Sequence, residues 1–311
     1  MVDATLAASP VVESKAPCGL KAARGLKAPR SLKAPRSREA KLRLTGVIVL
    51  HAVIILGAIA MFFPFFWTIV TSITPGASLT NTPALIPENP SLGAYGRLFA
   101  ERPFAQVILN SFLLAVVTTA VQLVTSSTAA YAFSRLPFRG RTAVFAVYLA
   151  TMMIPLQVLI VPLFVEMKAF GLLDSYLGAL LPTFASAFGI FLLRQAINQV
   201  PRELDEAATI DGAGHFRIFV SVILPNIRPA LATLVVFAFM GSWNSFLWPL
   251  IVLRSPELQT LPIALAGLQG QYLSDWDVIM AGSVISVLPM LALYIFAQKY
   301  VIQGVASSGI K

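Results

Sequence analysis

Long apolar stretches separated by short polar segments make up the chain from residue 45 onward. Six of these stretches come close to or exceed the roughly 20 residues that a helix needs to cross a bilayer core, and none has an Asp or Glu in its interior. They occupy residues 46–70, 106–133, 141–164, 176–194, 229–253 and 278–301. The pattern predicts an all-α membrane protein whose six transmembrane helices form one domain over residues 45–311. Pro155, Pro182 and Pro289 lie within stretches and predict kinks.

Residues 1–44 differ in composition from the rest of the chain. Three consecutive six-residue units, GLKAAR, GLKAPR and SLKAPR over residues 19–36, each carry one Lys and one Arg. Repeated proline and few large apolar side chains leave too little surface to bury, so we expect a disordered basic tail. We expect the tail either to help set the orientation of the chain in the membrane or to contact anionic lipid headgroups. A cleaved signal peptide is not expected, because the apolar run that follows exceeds the roughly 7–15 residues of a signal sequence.

Charge is scarce and unevenly placed. Charged residues make up 12% of the 311 residues, against about 25% in soluble domains, which excludes an ordinary soluble fold. Of 23 Lys and Arg residues, 19 lie in the N-terminal tail, the loops after the second and fourth stretches, and the C-terminal segment. The positive-inside rule therefore places both termini in the cytoplasm. Because the tail holds 10 of the 23, the net charge of +9 does not indicate a nucleic-acid partner.

One cytoplasmic loop, residues 195–228, is too long to be a simple connection. Pro201 suits a first helical turn, and acidic residues between 203 and 206 complement the positive end of a helix dipole. Gly212 is placed to end this helix in a left-handed conformation. A second amphipathic helix follows from Phe216 and is predicted to stop at Pro225.

The sequence of this loop resembles that of a known transporter family. Glu206-Ala-Ala-Thr-Ile-Asp-Gly212 is followed by nine residues and Val222-Ile-Leu-Pro225, which is similar to the Glu-Ala-Ala loop of membrane subunits of binding-protein-dependent ABC importers. The one departure is Val222, where the family pattern has Ile. Further segments resemble the carbohydrate branch of the family, of which the maltose-type second permease is a member. They are Phe191-Leu-Leu-Arg-Gln195, Gly241-Ser-Trp-Asn-Ser-Phe-Leu-Trp-Pro249, Ser274-Asp-Trp, Met280-Ala-Gly and Leu288-Pro.

The resemblance covers residues 106–311, and the N-terminal repeats have no counterpart in it. It implies the ABC type I importer permease fold in a bacterial inner membrane. The implied partners are a second homologous permease, two copies of a cytoplasmic ATP-binding subunit and an extracytoplasmic solute-binding protein. In such importers the loop seats in a groove of the ATPase, and the residues that correspond here are Glu206, Ala207, Ala208, Asp211, Gly212 and Pro225. The substrate expected from the resemblance is a di- or oligosaccharide, a polyol or a glycerol-3-phosphate-like solute.

Chemistry within the chain itself is not indicated. There is no G-x-x-x-x-G-K-[ST] segment to hold a nucleotide, and one Cys with two His residues cannot form a zinc cluster. His51 lies in a predicted span without an acidic neighbour. We therefore expect no catalytic residue, cofactor or metal, and ATP hydrolysis in a separate chain. An ion-coupled secondary carrier is the main alternative, although the spans lack carboxylates, and a membrane enzyme is the third.

Neutral polar side chains within the spans are candidates for the solute path. Trp243 and Asn244 lie near the middle of the fifth stretch, and Gln122 and Gln157 lie in the second and third. Amides and an aromatic face suit a neutral polyol. The alternative is that each forms an interhelical hydrogen bond worth about 0.6 kcal/mol.

Overall fold

A computed structural model describes residues 37–78, 85–101, 103–271 and 275–308, and no strand occurs among them. The chain divides into two compact units, Met1–Ile59 and Ala60–Lys311. In the first unit the described residues form the beginning of one helix, where His51 Nδ1 lies 2.7 Å from the carbonyl oxygen of Val47 one turn earlier. Most of the predicted basic tail, residues 1–36, lies outside the described residues, and the helix begins at Ser37 within the predicted tail.

The helices of the described chain are named in order. They are α1 (Ser37–Ser72), α2 (Gly93–Glu101), α3 (Phe104–Arg135), α4 (Arg141–Ala150), α5 (Leu156–Ala169), α6 (Tyr176–Leu180), α7 (Ala187–Gln199), α8 (Glu203–Ile210), α9 (His215–Ile218), α10 (Leu224–Asn226), α11 (Arg228–Trp243), α12 (Leu247–Val252), α13 (Leu261–Gln271) and α14 (Trp276–Ser308). A π-helical turn, Phe219–Ile223, joins α9 to α10, and 3-10 turns follow α4, α6 and α12.

Three helical segments are each long and apolar enough to cross a membrane, namely Leu44–Ser72, Phe104–Arg135 and Trp276–Gln298. Three further candidates among the described residues are bent pairs. One of them, His215–Asn226 with Arg228–Trp243, is bent by 81°. α4 with its 3-10 turn meets α5 at 100°, and α6 with its turn meets α7 at 43°. Six candidate spans are reached when each bent pair is counted as one, although the pair that ends in α11 includes α9 and α10, which belong to the loop of residues 195–228.

The third predicted span is thus not one continuous helix, which corrects the sequence interpretation. Ile154, before Pro155, adopts an extended conformation with φ −88° and ψ 114°, because the proline ring excludes the helical region for the preceding residue. The second helix of the long loop also differs, since it passes through Pro225 and ends at Asn226. By contrast, α14 continues through Pro289.

Close helix packing positions the loop of residues 195–228. α3 packs against both α7 and α11 in the second unit. A Cβ atom added at Gly189 in α7 would lie 2.5 Å from Ser126 Oγ in α3, so the two backbones approach closely because glycine has no side chain. Leu193 and Ile197 of α7 are fully buried with Ile223 in one apolar cluster, which joins the loop to the bundle.

Two polar clamps lie in the segments predicted to face outward. Arg97 of α2 lies 2.5 Å from Asp277 and 3.5 Å from Asp275. Asp174, at φ +57°, accepts hydrogen bonds from the backbone N–H groups of Arg254 and Ser255 and from the Ser255 hydroxyl. These hydrogen bonds favour the charged carboxylate and hold the pKa of Asp174 below its ordinary value.

Candidate functional site

The short helix α8 ends in the motif that the sequence predicts. Gly212 has φ +79°. The N–H of Ala213 donates to the carbonyl of Ala208 at 2.9 Å, and that of Gly212 donates to Thr209 at 3.0 Å. This pair of bonds is a Schellman motif, which satisfies carbonyl groups at the end of a helix. Because residues with a Cβ rarely adopt this backbone conformation, Gly212 sets the direction in which the chain leaves α8.

α8 has one face toward the bundle and one face exposed. Ala208 is half-buried and packs against the cluster that contains Ile223, whereas Glu206 and Ala207 are exposed. Asp211 and Gly212 are exposed, and Pro225 is half-buried. The exposed face therefore presents Glu206 and the small Ala207 side by side, free of contacts that would block a protein surface.

Two large apolar side chains beside this face are also exposed, and the sequence interpretation missed their role. Ile210 is 86% exposed and Phe216 is 80% exposed. The amphipathic period groups Phe216 with Phe219 and Ile223, and of these three Phe219 and Ile223 are buried while Phe216 is exposed. Phe216 lies in the first turn of α9, whereas Phe219 and Ile223 lie in the π-helical turn that follows, where both are buried. Ile210 and Phe216 are apolar groups of the kind that a protein partner buries.

A buried ion pair ties α8 to the end of α3. Arg135 Nε lies 2.6 Å from Asp205 Oδ2, and the two side chains are 7% and 17% exposed. A further nitrogen of Arg135, Nη2, donates to the carbonyl oxygen of Val200 at 2.7 Å. The Arg135 guanidinium thus contacts both α8 and the chain that leads into it. These contacts attach α8 and the residues before it to the end of α3.

Aromatic contacts brace the second helix of the loop on the same part of α3. The rings of Tyr131 and Phe219 lie 5.2 Å apart in a tilted arrangement. The Tyr131 hydroxyl lies 3.4 Å from His215 Nδ1. Together with the Arg135 contacts, these interactions connect both helices of the loop to the last two turns of α3.

A small cavity of about 150 Å³ lies within the helical bundle, away from α8. Its lining contains no charged residue. The polar lining residues are Ser111, Thr118, Gln122, Thr183, Ser242, Ser245 and Thr260. Such a lining offers neutral hydrogen-bond donors and acceptors. Its volume is below the roughly 300–1,000 Å³ of most ligand pockets, so the cavity of this chain alone is too small for an oligosaccharide.

Only one of the predicted path residues lines this cavity. Gln122 does so, and its Nε2 donates to the carbonyl oxygen of Thr183 at 2.6 Å. Asn244 is exposed at the end of α11, and Gln157 is exposed on α5, so neither contributes to the cavity wall.

Trp243 does not line this cavity. This side chain is 1% exposed and lies in the apolar core. Its ring stacks on Phe239 at 5.9 Å, and its Nε1 donates to the carbonyl oxygen of Ser286 at 3.1 Å. Trp243 therefore packs α11 against α14. Position within the span was the only sequence signal, and it does not reveal which face of the helix a residue occupies.

No group of three or more His, Cys, Asp or Glu residues that could hold a metal ion occurs in the described part of the chain. The fold and the loop instead define a class of protein. Apolar helices bent at prolines, with a helical cytoplasmic loop braced on one span, are those of a multi-pass membrane transport subunit. The chain belongs to the family of binding-protein-dependent transport system inner membrane components, which it matches over residues 122–307.

Curated relatives are similar over most of their length. The arabinooligosaccharides transport system permease protein AraQ of Bacillus subtilis (strain 168) is 36% identical over 253 residues, which cover 80% of this chain and 90% of the relative. The lactose transport system permease protein LacG of Rhizobium radiobacter is 34% identical, with 81% of this chain and 92% of the relative covered.

A solved structure has the same fold. It is a chain of a bacterial ABC transporter involved in the import of the acidic polysaccharide alginate, with 28% sequence identity and a TM-score of 0.73. The match covers 83% of this chain and 97% of that chain. The protein is accordingly a multi-pass inner-membrane permease of the ABC importer type, which works with a solute-binding protein.

Proposed function

We propose that this chain is one of two membrane-spanning subunits of an ATP-driven importer for a carbohydrate, and that α8 couples it to a cytoplasmic ATPase. The observation that carries the proposal is the exposed face of α8, with Glu206, Ala207 and Ile210, on a helix held to α3 by Arg135. A partner that grips this face moves α8 and α3 together. ATP hydrolysis then takes place in the partner, since this chain has no P-loop segment.

The residues of the loop take distinct parts in this coupling. Glu206 offers a carboxylate to basic groups of the ATPase, and Ala207 permits close approach. Ala208 packs against the cluster that contains Ile223, and Pro225 is half-buried in α10. Asp211 and Gly212 form the turn between α8 and α9, which sets the direction of α9 and leaves Phe216 exposed. Two such loops, one from each permease, move together when two copies of the ATPase close, which switches the solute cavity between the two faces of the membrane.

A carbohydrate substrate is favoured by two observations. Relatives at 36% and 34% identity are named for arabinooligosaccharides and lactose. The cavity wall carries hydroxyl and amide groups and no charge, which suits the hydroxyl groups of a sugar. Because about 150 Å³ is too small for a disaccharide, we place the solute path between this chain and a second permease. We propose that Gln122 lines this path, and that the exposed Asn244 and Gln157 lie at the interface with the second permease.

The coupling proposal predicts that Glu206→Lys abolishes uptake without preventing membrane insertion. The substitution places a positive charge where the partner is expected to present basic residues. The test measures uptake of labelled oligosaccharide by cells and the recovery of ATPase with the tagged permease. Glu203→Lys is the matched control, since Glu203 is an exposed acid of the same helix outside the Glu-Ala-Ala motif. Normal uptake and normal ATPase recovery with Glu206→Lys would contradict the coupling role.

A further inference from the structure

A basic groove lies between the end of α3 and the start of α4. It has a volume of about 970 Å³ and is lined by residues 137–143 together with Arg135 and Arg202. Arg135 is neutralised by Asp205. Arg139, Arg141 and Arg202 have no carboxylate partner among the described residues, and the lining contains no acidic residue. Three positively charged residues therefore line one shallow, open groove.

The backbone adds to this positive field. Gly140 stands before α4 in a left-handed conformation with φ +77°, and no side chain caps the helix. The first N–H groups of α4 belong to Arg141, Thr142 and Ala143, all of which line the groove. An uncapped helix N-terminus carries unpaired N–H donors and a partial positive charge, which together favour an anion with several acceptor oxygens.

The groove is held in shape by its own contacts. Phe138 packs on Phe133 of α3 with the ring centroids 5.8 Å apart. Arg141 donates from Nη1 to the carbonyl oxygen of Leu136 at 3.4 Å, which orients its side chain along the turn. The turn of residues 136–140 is thus anchored to both helices that it joins.

The position of the groove selects the kind of anion. It lies where the candidate span Phe104–Arg135 ends and the next begins at Arg141, on the side where the basic residues of the chain are concentrated. Exposed apolar side chains lie beside it, namely Phe138 at the turn and Val144 and Val147 on α4. A ligand that combines an anionic head with apolar chains matches both surfaces.

We infer that this groove binds the phosphate group of an anionic phospholipid from the cytoplasmic leaflet. The phosphate lies between Arg139, Arg141 and Arg202, and the acyl chains run along α4 past Val144 and Val147. Arg202 directly precedes α8, so the bound lipid connects the membrane turn to this helix. Lipid binding itself is independent of the proposed coupling role, whereas an effect of the lipid on uptake rests on it.

Native mass spectrometry of the full-length chain tests the site. Phosphatidylglycerol retained after delipidation is compared with phosphatidylcholine in the wild type and in Arg139→Gln, Arg141→Gln and Arg202→Gln. Each substitution lowers the apparent affinity for phosphatidylglycerol by about fivefold, the value expected for one basic residue near an anionic surface, and the three together have the largest effect. Arg217→Gln and Arg228→Gln are matched controls, being exposed arginines of the same cytoplasmic loop outside the groove.

The basic tail is present in every variant and contributes the same background. Circular dichroism verifies that the variants are folded. Retention that is unchanged in the triple variant, or that falls equally in the controls, overturns the inference. Full displacement of the lipid by soluble glycerol phosphate or inorganic phosphate also overturns it, because it would assign the groove to a soluble anion. Loss of ATPase recovery with lipid retention unchanged would assign the arginines to the partner protein instead.

Discussion

The Arg135–Asp205 ion pair attaches the loop to the end of α3, although the two residues are far apart in the sequence. Two charges that are 7% and 17% exposed have lost much of their hydration. Such a pair is expensive to break on one side only, since the remaining charge is left buried without a partner. Neither residue belongs to the Glu-Ala-Ala motif, and 70 positions of chain separate them. No local pattern could have paired them.

Arg135→Ala is therefore predicted to destabilise the loop by about 3 kcal/mol, the size found when one partner of a buried pair is removed. Asp205→Ala is expected to have a similar effect, and the double variant a smaller one than the sum of the two. The measurement is thermal unfolding in detergent for the double-mutant cycle, together with uptake. A purely additive cycle would contradict the pairing.

Several single residues were predictable and others were not. The Glu-Ala-Ala pattern predicted the left-handed Gly212, because a helix that ends at this spacing needs a residue without a Cβ there. The buried position of Trp243 was not predictable, since both the core and the path contain aromatic and small polar residues. The exposure of Phe216 was not predictable either, since the apolar repeat groups it with the buried Phe219 and does not show where the packed surface ends.

Among the structural elements, the spans were predicted in number and position more closely than in shape. Hydropathy located them because each must bury about 20 residues in lipid. The 100° bend at Pro155 was indicated only as a kink, since proline removes the helical option for its neighbour but does not set the direction of the next helix. In the structure α5 packs against α12, a contact between distant segments that the local sequence does not indicate.

The hydrogen bonds to Asp174 connect two of the segments predicted to face outward. They lead to a prediction about pH dependence. The pKa of Asp174 is lowered by hydrogen bonds from Ser255 and Arg254, so the charged form stabilises the folded state. That contribution is fully present above the ordinary pKa of about 4, and it is lost only as pH falls through the lowered value. Hydrogen-exchange protection of the Arg254 and Ser255 amides should therefore persist to mildly acidic pH and fall in stronger acid.

Asp174→Asn provides the comparison for this clamp. An amide cannot carry the charge, so protection of the same two amides should be weaker at neutral pH and lack the acid transition. Protection in the wild type that falls well above the ordinary carboxyl pKa would contradict the lowered value.

At the scale of the whole molecule, the chain has the features of one half of a transport pathway. Its cavity of about 150 Å³ is too small for the proposed solute, and its neutral lining has no proton-carrying carboxylate. The exposed face of α8 carries the apolar side chain of Ile210, which is of the kind that a protein partner buries. The proposed assembly, with a second permease beside the chain and an ATPase below it, accounts for these features together.

ATP-driven transport coupled through α8 is tested most directly by reconstitution. Proteoliposomes contain the chain, its second permease and the ATPase, the binding protein is added outside, and uptake of labelled oligosaccharide is measured. The account predicts uptake that requires enclosed ATP and the binding protein, and that is lost with Glu206→Lys but retained with Glu203→Lys. Uptake that proceeds without ATP and collapses when an imposed ion gradient is removed would contradict it.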